Sequence, residues 1–136
     1  MAANRAAKLK RLATIQRQIE RMAESELALL HRERQAVTER MDALGEALAS
    51  PKPAYQPFSR LFGAQLGRLK TKDQMLAGRT QVQERRVLGE RAKADRLTDH
   101  WANAAAEERR AAEDEDLFDL LDRLDATQAS DKFRRP

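Results

Sequence analysis

The residue types best suited to chemistry in this chain are two histidines and a run of four acidic residues. His31 and His100 could ligate a metal or act as bases, because a neutral imidazole does both near physiological pH. The run from Glu113 to Asp116 could bind a cation. Calcium-binding loops, however, alternate their acidic ligands and carry a glycine at the turn, and the run has neither feature. We interpret it as a solvated or partner-facing helix surface.

No other arrangement of residues indicates catalysis. The chain has no cysteine, which excludes thiolate metal sites and disulfides. No phosphate-binding loop, GxGxxG or HExxH motif is present. The two histidines are far apart along the sequence, and we expect both to be solvated. We therefore predict no catalytic residue, no metal and no cofactor, and we expect the protein not to be an enzyme.

The amino-acid composition indicates which secondary-structure elements would carry any functional residue. Charged residues make up 35% of the chain, aromatic residues 4%, and only five glycines and four prolines occur. The abundant Ala, Leu, Glu, Arg, Lys and Gln are the best helix formers, and such a composition is typical of coiled coils. The length allows one domain. No apolar stretch has the length of a membrane span or of a signal peptide, so we expect a cytoplasmic protein, which is compatible with a place at the periphery of a membrane assembly.

Two apolar stripes predict two helices. The first helix covers about residues 5–49, and its stripe contains one stutter, two successive steps of four at Ile19, Ala23 and Leu27. The second covers about residues 60–124, with strictly alternating steps of four and three. The first stripe comprises Leu9, Leu12, Gln16, Ile19, Ala23, Leu27, Leu30, Arg34, Val37, Met41, Leu44 and Leu48. The second comprises Phe62, Leu66, Leu69, Asp73, Leu76, Thr80, Gln83, Val87, Glu90, Ala94, Leu97 and Trp101.

The segment between the helices predicts a hairpin tip. Residues 50–59 contain three prolines, which cannot lie inside a helix. We expect Tyr55 and Phe58 to fold back and cover the end of the seam between the helices. After the second helix, residues 125–136 are polar and are predicted to be a flexible tail.

The two stripes stay in register when residues whose numbers sum to about 110 face each other across an antiparallel pair. Leu44 then faces Leu66, and Arg34 lies close to Asp73. We predict an all-α fold, a long antiparallel two-helix coiled-coil hairpin forming a single domain. Polar residues recur in the seam. They either fix the register through paired contacts or leave its middle wet and marginal, and the sequence does not decide between these.

The same register predicts that helix two overhangs the N-terminus by about 30 Å. Residues 105–124 of this overhang combine concentrated negative charge with large apolar residues. An amphipathic helix end without an intramolecular partner is expected to bind another chain. The predicted partner-binding residues are Glu113, Asp114, Glu115, Asp116, Leu117, Phe118, Leu121 and Leu124.

Basic residues favour a second type of partner. They form one cluster early in helix one and a second cluster opposite it in helix two. The clusters comprise Arg5, Lys8, Lys10, Arg11, Arg17 and Arg21 on helix one and Arg85, Arg86, Arg91, Lys93 and Arg96 on helix two. Nucleic-acid binding is one interpretation. Acidic residues interleave with the basic ones, however, and no groove-reading motif or stacking aromatics occur, so we favour an acidic protein partner.

The chain resembles the FliJ/YscO group of flagellar and type III secretion export proteins. The similarity is carried by LKRLATIQRQIERMAESELALL at 9–30 and QVQERRVLGERAKADRLTDHWANAAAEERR at 81–110, and it is one of architecture and composition. The resemblance implies a part like the central stalk of rotary ATPases. The paired termini would enter a hexameric export ATPase, and the hairpin would contact the export gate or escort other chaperones.

We therefore expect a non-enzymatic, protein-binding coiled coil, an accessory or chaperone of flagellar or type III export. The alternative is a structural or self-associating scaffold, with homo-oligomers as its assembly. A basic nucleic-acid-associated hairpin is the least favoured hypothesis.

Overall fold

The computed structural model describes the backbone of residues 2–134 and the side chains of residues 4–132. Helix α1 spans Ala2–Ala49, a short 3-10 helix spans Gln56–Phe58, and helix α2 spans Ser59–Arg134. No strand occurs among the described residues. The predicted all-α helical hairpin is confirmed.

The ends of the helices differ from the prediction. Helix α1 begins at Ala2 rather than near residue 5, and α2 continues to Arg134 rather than ending at Leu124. Residues 125–134 of the predicted tail are therefore helical, and residues 135–136 lie outside the described residues. The cause is local: residues 125–134 contain no glycine and no proline, so nothing in them terminates a helix.

The chain divides into two compact units. The tip unit comprises residues 16–93 and contains the turn between the helices. The base unit comprises residues 2–15 together with residues 94–134. Each unit pairs a segment of α1 with a segment of α2.

The seam of the tip unit follows a strict heptad repeat on α1. Glu20 and Ala23 are buried, and Gln16 and Leu27 are half-buried, which gives alternating steps of four and three. The predicted stutter at Ile19, Ala23 and Leu27 is therefore wrong, because Glu20 occupies the seam position that the prediction gave to Ile19. Since α2 keeps an unbroken repeat of 3.5 residues, α1 stays in contact with it only by keeping the same period.

The register in the tip unit is confirmed by contacts across the seam. Arg34 Nε lies 3.4 Å from Asp73 Oδ1, as the sequence predicts. Arg86 Nη1 lies 3.2 Å from Glu26 Oε2. The residue numbers in each pair sum to about 110, as an antiparallel pair in this register requires.

The turn closes the seam with aromatic rings. The Tyr55 and Phe62 ring centroids lie 6.4 Å apart, and those of Phe58 and Phe62 lie 6.0 Å apart. Phe62 is the first seam residue of α2. Tyr55 and Phe58 therefore cover the end of the seam, as predicted.

The seam of the base unit fully buries only small residues among those described, whereas Leu9, Leu97 and Trp101 are half-buried. Its buried side chains are alanines, at positions Ala6, Ala13, Ala94 and Ala104. Leu12, a predicted seam residue, is 50% exposed, because Ala13 occupies the position facing α2. Lys10 adds a cation–π contact, with its Nζ 5.7 Å from the centroid of the Trp101 ring.

Candidate partner-binding surface

The exposed part of α2 in the base unit begins later than the sequence predicts. Ala104 is buried, Ala105 and Ala106 are half-buried, and Glu108 Oε1 accepts a hydrogen bond from the Ala6 N–H at 3.2 Å. Residues 105–108 therefore pack against α1, which corrects the predicted start of the overhang at residue 105. From Arg109 to Lys132 every residue is exposed. We call residues 109–132 the overhang.

The overhang carries large apolar side chains that are exposed. Leu117, Leu121 and Leu124 are spaced by four and three residues, so they lie along one face of the helix. Phe118 borders that face and is 65% exposed, and the three leucines are 47–54% exposed. This apolar face is a feature that monomeric proteins seldom leave uncovered.

The acidic run does not form a single cluster. Successive residues of a helix differ by about 100° in direction, so the run spreads around the overhang, and of its four residues only Glu113 and Asp116 share a face. Among the described residues, no group of three or more acidic or histidine side chains could hold a metal ion. The run instead lies one turn before the apolar face and gives this end of α2 a negative potential.

Leu120 extends the apolar face and is absent from the predicted binding set. It is 53% exposed, and it lies three residues after Leu117 and four before Leu124. Its helical spacing was a sufficient signal to include it.

A network of charged groups occupies the end of the tip unit farther from the turn. Glu20 is only 7% exposed, and its carboxylate accepts hydrogen bonds from Arg17 at 2.9 Å and Arg91 at 3.1 Å. The Arg17 hydrogen bond is the largest cause that lowers the pKa of Glu20; burial opposes it, and Arg91 adds to it. Arg91 also bonds Glu24 at 3.2 Å, and these carboxylates raise the pKa of Arg91, with Glu24 contributing most.

The polar seam residues are paired. Gln16 donates to the Glu90 carboxylate, which is the largest cause lowering the pKa of Glu90. Gln83 donates to the Ala23 carbonyl at 2.9 Å and to Glu26 at 3.1 Å. Within the described part of the chain, no buried side-chain nitrogen or oxygen lacks a hydrogen-bond partner. Of the two interpretations of the polar seam, these contacts favour residues that fix the register.

The other candidate residues have surface positions. His31 in the tip unit and His100 in the base unit are both exposed. Several cations of the basic clusters are engaged by glutamates of the same unit: Arg17 by Glu20, Arg86 by Glu26, Arg91 by Glu20 and Glu24, and Lys93 by Glu90. Cations already paired in this way are less available for phosphates, which weakens the nucleic-acid hypothesis.

One apolar surface was missed by the sequence reasoning. Met22 and Leu29 on α1 are 64% and 56% exposed, and Met75 and Val82 on α2 are 51% and 66% exposed. We call these four residues of the tip unit the apolar flank. The sequence contains a signal for this surface. On each helix the two apolar residues are seven positions apart, and each directly precedes a residue of the seam.

No helix in the described residues is long and apolar enough to cross a membrane. No family model matches the chain, and no curated protein or solved structure matches it.

Proposed function

We propose that this protein is a non-enzymatic, protein-binding coiled coil that uses its overhang to dock on a basic, apolar surface of a partner. The resemblance of residues 9–30 and 81–110 to the FliJ/YscO group supports a more specific role. In that role the protein is an accessory or chaperone of flagellar or type III export. Its partners are an export ATPase and an export-gate component, at the cytoplasmic side of the membrane.

The observation that carries the proposal is the uncovered apolar face of the overhang. Most helical stability in proteins comes from packing an apolar face against another element. The face of Leu117, Phe118 and Leu121 has no such element among the described residues. A partner that covers it would remove apolar area from water, and the surrounding carboxylates select a partner surface that is positively charged.

The experiment measures binding of the full chain to an export ATPase hexamer by calorimetry. The proposal expects fewer than one chain per ATPase subunit, because a stalk-like protein occupies the hexamer once. Replacing Phe118 and Leu121 together with Ser should weaken binding at least about thirtyfold, since an anchor residue of an interface contributes about 2 kcal/mol or more.

Leu88→Ser is the matched control, because Leu88 is 61% exposed and lies in the tip unit. It should leave binding unchanged. Equal binding by the Phe118/Leu121 double variant and the native chain would exclude the overhang as the docking element. Tight binding to nucleic acid with a steep salt dependence would favour the basic-hairpin hypothesis instead.

A second candidate function, a self-associating scaffold, is favoured by a different observation. The apolar flank is exposed on both helices of the tip unit. A scaffold is expected to self-associate at micromolar concentration and to bind no ATPase, so the calorimetric measurement with the ATPase hexamer distinguishes it from a stalk.

A further inference from the structure

The apolar flank occupies one side of the tip unit. The ion pair between Glu26 and Arg86 crosses the seam on that side, with 3.2 Å between the charged atoms. Met22 and Leu29 lie one helical turn before and after Glu26, and Val82 lies one turn before Arg86. Because residues three or four apart share a helix face, these apolar side chains surround the ion pair on a common surface.

A shallow groove adjoins the flank. It has a volume of about 600 Å³, and its lining includes Leu30, Met75, Gly78 and Val82. A Cβ added at Gly78 would meet no atom within 4 Å. The missing side chain at Gly78 thus leaves space between Met75 and Val82 for an aliphatic group from outside.

The opposite side of the tip unit differs. The ion pair between Glu24 and Arg91 crosses the seam there, at 3.2 Å. Away from the turn, Leu88 is the one exposed large apolar side chain of the tip unit that lies outside the flank. The two sides therefore differ in apolar area, and the flank is the side suited to an interface.

Charge alternates with the apolar residues of the flank, with opposite sign on the two helices. Met22, Glu26, Leu29 and Glu33 follow one another along α1 in steps of four, three and four. Along α2 the same steps give Met75, Arg79, Val82 and Arg86. We call these two rows of residues the α1 strip and the α2 strip. The α1 strip is apolar and acidic, and the α2 strip is apolar and basic.

We propose that the flank is a self-association surface on which a second copy of this chain docks face to face. A two-fold axis parallel to the helices places the α1 strip of each copy on the α2 strip of the other. Glutamates then meet arginines, and apolar side chains meet apolar side chains. A two-fold axis perpendicular to the helices would instead place Glu26 and Glu33 against the same residues of the other copy, so charge selects the first arrangement.

The proposed dimer is a local four-helix arrangement with a second apolar layer. In the register of the tip unit, Leu29 lies at nearly the same height as Val82 and the groove beside Gly78. Leu29 of the second copy therefore enters that groove. The contact is isologous, so it closes at two copies rather than extending into a fibre.

Analytical ultracentrifugation of the full chain provides the first test. At about 50 μM and physiological salt the expected species has twice the chain mass of 15.5 kDa. Replacing Leu29 and Val82 together with Ser should weaken dimerisation at least tenfold, and Leu88→Ser should leave it unchanged. A native chain that remains monomeric at this concentration, or a dimer equally stable in both variants, overturns the proposal.

Charge reversal provides the sharper test and controls for folding. The variant Glu26→Arg/Glu33→Arg carries basic strips on both helices, and Arg79→Glu/Arg86→Glu carries acidic strips on both. Each variant alone should be monomeric and helical by circular dichroism, whereas an equimolar mixture should form a one-to-one heterodimer. A mixture that stays monomeric while both variants are folded contradicts the proposal. The Phe118→Ser/Leu121→Ser variant should still dimerise, so the outcome is independent of the role proposed for the overhang.

Discussion

The tip unit and the base unit place their large apolar side chains in different locations. In the tip unit, Val37, Leu76 and Val87 are buried in the seam. In the base unit, the buried residues are alanines, and the large residues of the overhang, such as Phe118, are exposed. Burial stabilises roughly in proportion to apolar area. The tip unit therefore gains more stability from its seam than the base unit does, and the base unit leaves the large apolar side chains of the overhang exposed.

The polar contacts of the two units differ in the same way. The tip unit buries Glu20, Thr80 and Gln83 with hydrogen-bond partners for each. Among the described residues of the base unit, the polar contacts of the seam include the Glu108 contact to Ala6, the Thr98 hydrogen bond to the Ala94 carbonyl and the Lys10 contact to Trp101. Paired polar groups in a seam specify one register, so the register is specified more strongly in the tip unit.

The largest expected change in unfolding free energy follows from removing a leucine side chain from the seam of the tip unit. Leu76 is only 1% exposed, and Leu76→Ala should cost about 2–5 kcal/mol of unfolding free energy, as for enclosed leucines. Leu30→Ala should cost less because Leu30 is half-buried. Leu121→Ala in the overhang should cost almost nothing. Urea denaturation of the three variants measures this order, and a loss for Leu121→Ala as large as for Leu76→Ala would contradict the contrast between the units.

Acidification should weaken the tip unit. Because the pKa of Glu20 is lowered in the folded chain, its stabilising contribution is complete above the unfolded glutamate pKa of about 4.3. The contribution is lost as pH falls through the lower folded-state pKa. Thermal melts between pH 7 and pH 3 should show a smaller decrease in melting temperature for Glu20→Gln than for the native chain. Parallel curves for the two proteins would mean that the network contributes no pH dependence. Glu90 contributes in the same direction, since its pKa is also lowered.

A gain of stability is expected at a glycine of the tip unit. Gly67 lies inside α2, it is exposed, and a Cβ there would meet no atom within 4 Å. Gly67→Ala should raise the unfolding free energy by up to about 1 kcal/mol, the helix propensity difference between the two residues. Gly63→Ala, at an equally open position, is the matched variant. A decrease for both would show that these positions contact a second chain.

The smallest effect is expected in the base unit. Lys10→Ala removes the cation–π contact with Trp101, which should contribute about 0.5–1 kcal/mol at an exposed site. Lys8→Ala is the control, because Lys8 is also exposed on α1. Tryptophan fluorescence follows this change directly, since Trp101 is the only tryptophan of the chain. Identical unfolding curves for the two variants would show that the cation–π contact does not stabilise the base unit.

The candidate site could be found in the sequence because its signal is local. The spacing of Leu117, Leu121 and Leu124 in a helix-forming segment defines an apolar face without knowledge of the fold. The start of the overhang could not be fixed in the same way. It depends on how far α1 reaches along α2, and the contact of Glu108 with Ala6 decides it.

By itself the sequence determined the two helices, the turn and the pairing of their stripes, since helix propensity, prolines and a heptad period are local properties. Only the tertiary structure decided which residues face the seam where two stripes compete. It placed Ala13 and Glu20 in the seam and left Leu12 at the surface. Apolarity alone favours Leu12. The heptad period of α2 nevertheless places Ala13 in the seam, because a helix that leaves the period of its partner loses every contact beyond that point.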